Sequence, residues 1–186
     1  MKESENDLIQ QAAAGNRQAF AELVRDHQSR VFNFIRRLLG SADEAADLTQ
    51  ETFIRAYQAL PRWRPEARFQ TWLLQIARNA ALDALRQRQR RADEPLELHA
   101  EPVDPAPSPL RQLQSARHMV LLERLLARLP REQREILLLR EVEGLSYDEL
   151  ASILKINGGT VKSRLARARE ALLQGFRQAN GGNIDD

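Results

Sequence analysis

The 186-residue sequence predicts an all-α fold, two small helical domains joined by a flexible linker. Three observations carry that expectation. Apolar residues recur three and four apart over most of the chain, the spacing of a helix with one buried face. Ser, Asn and Gly stand where those stripes begin and stop, as caps do. Aromatics make up only 5% of the residues, and Leu and Ala supply most of the apolar content, which favours helices over a β-sandwich.

The first domain is expected over residues 1–91. A short helix covers about Asn6 to Ala14 and Gly15 ends it. Asn16 caps the next helix, whose stripe is Phe20, Leu23, Val24, His27, Val31, Phe34, Ile35 and Leu38, with Gly40 as the stop. Ser41-Ala42-Asp43-Glu44 reads as a capping box for a third helix with Ala45, Leu48, Phe53, Ala56, Tyr57 and Leu60 inward. Pro61 and Pro65 bracket a loop, and a fourth helix runs from about Phe69 to Arg91 with Phe69, Trp72, Leu73, Ile76, Ala77, Ala80 and Ala84 on its apolar side.

Residues 92–109 break every periodicity. They hold five of the eight prolines and five acids with no Lys or Arg, so they read as an extended linker. The second domain, residues 110–178, restarts at Ser108-Pro109 with a helix to about Leu129. Pro130 opens another helix, with Ile136, Leu137, Leu138 and Val142 buried and Gly144 at its end. Ser146-Tyr147-Asp148-Glu149 is a second capping box, starting a short helix to Leu154. Lys155-Ile156 makes a tight turn, and Asn157 caps a last helix that ends near Gln178. Residues 179–186 are expected to be a disordered tail.

Charge and composition narrow the function classes. The first domain carries net +4, the linker −5 and the remainder +3, together +2. Two basic lobes thus flank an acidic strap. Nearly all the positive charge is Arg, which suits bidentate phosphate and base contacts, although codon usage accounts for the same bias. With no cysteine, a disulfide framework and a thiolate metal site are excluded. The start of the chain lacks an apolar signal core, and no run of about 18 apolar residues is present, so a cytoplasmic chain is expected. There is no Gly-rich phosphate loop, nucleophile elbow or paired-His motif. His27, His99 and His118 lie far apart. No catalytic residue, metal site, cofactor or small-molecule substrate is expected.

A short helix, a tight turn and a longer helix make a helix-turn-helix pattern. Val161, Leu165, Ala168 and Leu172 point inward. The opposite face carries Gly159, Ser163, Ala166, Arg167 and Glu170, with Lys162 and Arg169 at its flanks and Arg164 nearer the boundary. Donors beside a small apolar side chain are what a helix needs to read base edges in a major groove. An ordinary helical hairpin with a solvated basic face fits the spacing too. Lys155 stands where glycine is common; a positive φ there costs on the order of 1 kcal/mol.

The residues Gly144-Leu145-Ser146-Tyr147-Asp148-Glu149-Leu150-Ala151 and Gly159-Thr160-Val161-Lys162-Ser163-Arg164-Leu165-Ala166-Arg167-Ala168-Arg169 closely resemble region 4 of sigma-70 family proteins, and Leu129 to Glu135 fit as well. Asp47 to Tyr57 resembles region 2.2. Phe69 to Asn79 resembles the promoter-melting part of region 2. The likeness spans about Gln18 to Phe176. Regions 1.1 and 3 have no counterpart, as in the extracytoplasmic-function subgroup.

The resemblance implies an alternative sigma factor directing promoter-specific initiation, held by an anti-sigma factor, often membrane-anchored, in a stress or envelope response. It implies contact with the −35 duplex through Thr160, Lys162, Ser163, Arg164, Ala166 and Arg167. It implies capture of unpaired −10 bases through Trp63, Phe69 and Asn79, with Arg62, Arg64, Arg68 and Arg86 on the backbone. Phe69 stays open between a core and a base-facing role; Trp72 reads as core. Arg86, Arg88, Arg90 and Arg91 either grip phosphates or form a solvated helix end. Asp47, Gln50, Glu51, Ile54 and Arg55 are expected to dock on the β′ clamp helices of core RNA polymerase, with the β flap as a further contact. The acidic linker would thread the RNA exit channel or serve as a tether. The alternative is a stand-alone helix-turn-helix regulator that binds duplex DNA as a dimer.

Overall fold

Among the described residues, 4–92 and 110–179 of the computed structural model, every regular element is helical. The expected linker from residue 93, its Ser108-Pro109 cap, the tail from residue 180 and the Arg91 side chain lie outside them. The chain divides into two units, Met1–Leu98 and His99–Asp186. No described helix is long and apolar enough to cross a membrane.

The first unit holds α1 (Glu5–Ala13), α2 (Arg17–Leu39), α3 (Ala42–Ala59), a 3-10 turn (Leu60–Arg62) and α4 (Phe69–Ala92). α2 is central and packs on α1, α3 and α4. Leu23, Phe34, Ile35 and Leu38 project from it and are at most 1% exposed, and Leu73 and Leu74 of α4 match them. Each such side chain contributes roughly 1.5–3 kcal/mol on burial. α4 is enclosed more widely than its single stripe predicts, because it meets two helices: Thr71, Ala81 and Leu82 are buried as well.

Local caps set the ends. α1 begins one residue earlier than expected, at a reciprocal box. The Ser4 hydroxyl accepts from the Asp7 amide, and the Asp7 carboxylate accepts from the Ser4 amide. Asn16 Oδ1 accepts from the amides of Gln18 and Ala19 at 2.9 and 3.2 Å. Gly40 closes α2 at φ 77°. The box expected at Ser41 is only half made. Ser41 Oγ accepts from the Glu44 amide at 3.4 Å, but the Glu44 carboxylate takes Arg88 Nε of α4 at 2.7 Å instead. A guanidinium makes a stronger, charge-assisted bond than a backbone amide does. Tyr57 also departs from expectation. It is 37% exposed, because it sits about 100° around the helix from buried Ala56. Its ring meets Phe20 edge-on, centroids 4.9 Å apart.

The second unit holds α5 (Leu110–Arg128), α6 (Arg131–Leu137) running on as a π turn (Leu138–Val142), α7 (Tyr147–Leu154) and α8 (Gly158–Ala179). α8 packs on α5, α6 and α7. Arg134 caps α5, donating Nε to Leu126 O at 2.9 Å and Nη2 to Leu129 O at 3.2 Å. This cation answers the orphan carbonyls of the helix end; burial draws its pKa below the usual value.

The π turn overturns one expectation. Val142 is 48% exposed rather than buried. The Glu143 amide, five residues on, closes on Leu138 O at 3.0 Å. One extra residue in the turn brings Glu143, 8% exposed, over Leu138 and pushes Val142 outward. Gly144, at φ 71°, then reverses the chain, and the Leu145 amide reaches back to Leu139 O.

Candidate nucleic-acid interface and partner surfaces

α7 and α8 are set by two caps and one strained residue. At α7 the box is complete: Glu149 N–H donates to Ser146 Oγ at 3.2 Å, and Ser146 N–H donates to Glu149 Oε2 at 2.8 Å. Lys155 ends α7 in the left-handed region, φ 54°. Asn157 Oδ1 then accepts from both the amide and the hydroxyl of Thr160, at 2.7 and 2.9 Å. α8 is therefore started by a side chain that also fixes the Thr160 rotamer.

Val161, Leu165 and Ala168 are at most 1% exposed, so the opposite face of α8 is turned to solvent as the spacing predicts. Lys162, Ser163, Ala166 and Arg167 are exposed there. Ser163 Oγ donates to Thr160 O, and Arg167 Nε donates to Ser163 O at 3.3 Å. Arg164 is half-buried and pairs with Glu132 of α6 at 3.3 Å. Arg169 does not stand free at the flank. Its Nε and Nη2 both donate to Glu141 Oε1, at 3.0 and 2.6 Å. That bond and the carboxylate charge raise the Arg169 pKa above its usual value. Nothing local in the sequence marks this pair, because its members lie 28 residues apart. Arg140 of the π turn lies 5.0 Å from the ring centroid of Tyr147.

In the first unit, the 3-10 turn delivers Trp63, whose amide donates to Leu60 O at 3.0 Å. The rings of Trp63, Phe69 and Trp72 form one cluster with centroids 5.5–6.0 Å apart. Trp63 and Trp72 are half-buried, whereas Phe69 is 4% exposed. Phe69 is thus the floor of the cluster and presents no open face to a base. Arg62, Arg64 and Arg68 are exposed around it. Asn79 is exposed too, but it lies ten residues along α4 from Phe69, about 15 Å at 1.5 Å per residue. Arg86 is exposed beside Asp83 at 3.0 Å, a surface pair that restrains it little. Arg88 is held by Glu44, unlike exposed Arg90.

α3 turns Asp47, Gln50, Ile54 and Arg55 outward, with Glu51 half-buried. Arg55 pairs with Glu51 at 2.6 Å, and Ile54 is 58% exposed between them. This is a mixed acidic and apolar stripe, suited to a basic helical partner. Among the described residues, no group of His, Asp and Glu is placed to hold a metal ion.

Two family models match the chain: sigma-70 region 2 over residues 23–91 and sigma-70 region 4 over residues 119–172. The RNA polymerase sigma-H factor of Pseudomonas aeruginosa is 36% identical over 92% of this chain and 93% of its own length. The ECF RNA polymerase sigma-E factor of Escherichia coli K12 is 35% identical, covering 89% of this chain and 90% of its own. Among solved structures, the sigma factor RpoE of Bartonella quintana, in complex with the anti-sigma factor NepR, superposes with a TM-score of 0.73 at 26% identity, covering 85% of this chain and 96% of that one. With both region matches in the expected order and relatives aligned over nearly their full length, the chain belongs to the sigma-70 family, as an extracytoplasmic-function sigma factor in promoter-specific transcription initiation.

Proposed function

We propose that this chain works by binding alone, holding two stretches of one promoter while seated on core RNA polymerase in the cytoplasm, and that the polymerase performs all the chemistry. The outward face of α8 reads the −35 duplex. Lys162, Ser163, Ala166 and Arg167 face the base edges, Thr160 stands at the helix start, and Arg164 lies toward phosphate. In the first unit, the loop after the 3-10 turn receives unpaired −10 bases. Trp63 offers the stacking ring, Phe69 supports it from below, and Arg62, Arg64 and Arg68 line the strand, with Asn79 and Arg86 further along α4. The α3 stripe of Asp47, Gln50, Glu51, Ile54 and Arg55 docks on the β′ clamp helices, and the second unit meets the β flap. An anti-sigma factor is the natural inhibitor, as the RpoE–NepR complex illustrates for a similar fold.

The observation that carries this reading is the pairing of two exposed cationic surfaces of different kinds. One is a duplex-reading helix face; the other is a loop with a half-exposed tryptophan between arginines. A duplex-binding regulator needs only the first. Run-off transcription tests the proposal. Promoter-specific transcripts are expected only when this chain and core polymerase are both present. Duplex binding by the chain with no effect on initiation would overturn it.

A further inference from the structure

The aromatic cluster beneath the −10 loop is connected to the first helix through one buried histidine. His27 of α2 is 6% exposed, and its ring meets Phe69 edge-on, centroids 5.3 Å apart. Its Nε2 lies 2.9 Å from Glu5 Oε1 at the start of α1. A carboxylate can only accept, so Nε2 carries the proton and donates. Nδ1 is buried without a partner, which leaves the bond to Glu5 as the polar contact that orients the ring. Glu5 itself is 56% exposed at its side chain. α1 also packs on the 3-10 turn Leu60–Arg62, the element that positions Trp63. α1 therefore reaches Trp63 by two routes. One is the backbone of the turn. The other is the packed series Glu5, His27, Phe69, Trp63.

We infer that Glu5 and His27 are positioning residues for −10 strand capture: they set the ring floor on which Trp63 sits, and α1 is a brace for the melting loop. This rests on the reading of that loop as the site for an unpaired base. A buried ring N–H needs an acceptor, and here the acceptor comes from another helix, so this one bond couples α1 to the ring floor.

The two tryptophans of the chain both lie in this cluster, so their near-ultraviolet circular dichroism reads the floor directly. Binding is measured with the reconstituted holoenzyme and a fork-junction DNA, duplex at −35 and single-stranded at −10, cut from the promoter transcribed in the run-off assay. Glu5→Ala should alter the tryptophan signal and weaken fork binding about fivefold, the scale of one ordinary hydrogen bond. Core association and −35 duplex binding should not change. Glu5→Gln keeps the accepting oxygen and should restore both readouts. His27→Phe keeps the ring but lacks the donor, and should behave as Glu5→Ala does. The inference fails if Glu5→Ala leaves spectrum and fork binding unchanged, if Glu5→Gln is as impaired as Glu5→Ala, or if −35 binding falls in parallel. Trp63→Ala separates the two levels. No loss of fork binding in that variant refutes the loop's role, whereas a clear loss there with a silent Glu5→Ala refutes the brace alone.

Discussion

Arg167 shows how a single side chain is left open to solvent on a packed helix. It stands on the exposed face of α8, opposite Val161 and Leu165, which are at most 1% exposed. Its bond to Ser163 O engages only Nε, so the guanidinium edge needed for a bidentate contact stays presented. Arg164 and Arg169, on the same helix, are instead paired with Glu132 and Glu141. Arg167→Ala should therefore weaken −35 duplex binding by about 1–3 kcal/mol while sparing association with core polymerase. Titration of a −35 duplex beside a core-binding assay checks this, and equal loss in both would contradict the assignment of the two faces. The candidate face was legible because helical periodicity alone separates Arg167 from the buried stripe. The carboxylates that occupy its neighbours were not, because those pairs form only when α6, the π turn and α8 are brought together.

At the scale of elements, caps and stripes were readable because both are local. Asn16, Asn157 and the Ser146–Glu149 box act on amides within three residues of themselves. The half-made box at Ser41 shows the limit: Glu44 had a stronger partner 44 residues away. Lys155 stands where glycine is common, and the sequence raised its positive φ only as a condition, which the structure meets. At φ 54° and ψ 46° its side chain costs what glycine would not. Lys155→Gly should raise the unfolding free energy of the second unit by about 0.5–1 kcal/mol, read as a higher urea midpoint by far-ultraviolet circular dichroism. No change would mean that the flanking caps already absorb the strain.

For the whole molecule, the helical class was visible in the apolar spacing, and each described unit buries its own apolar stripes. What one dimension conceals is which residues share a floor. Phe69 was equally open to core or base in the sequence, and its burial against Trp63 and His27 is a tertiary fact that no spacing encodes. Glu5 carried no signal at all, since its partner lies in another helix. The legible part of the candidate interface is the outward part. The supporting part depends on tertiary contacts that periodicity does not encode.

The widened coil at Leu138–Val142 gives its helix a spare residue, and a spare residue can be taken away. Removing Val142, already turned to solvent, would make Glu143 the fourth residue after Leu138 and convert their bond to the ordinary helical kind. The shortened chain should keep native helicity and melt as a folded unit, as circular dichroism would record, where losing one residue from the unbroken run of α8 would rotate every later side chain by about 100°.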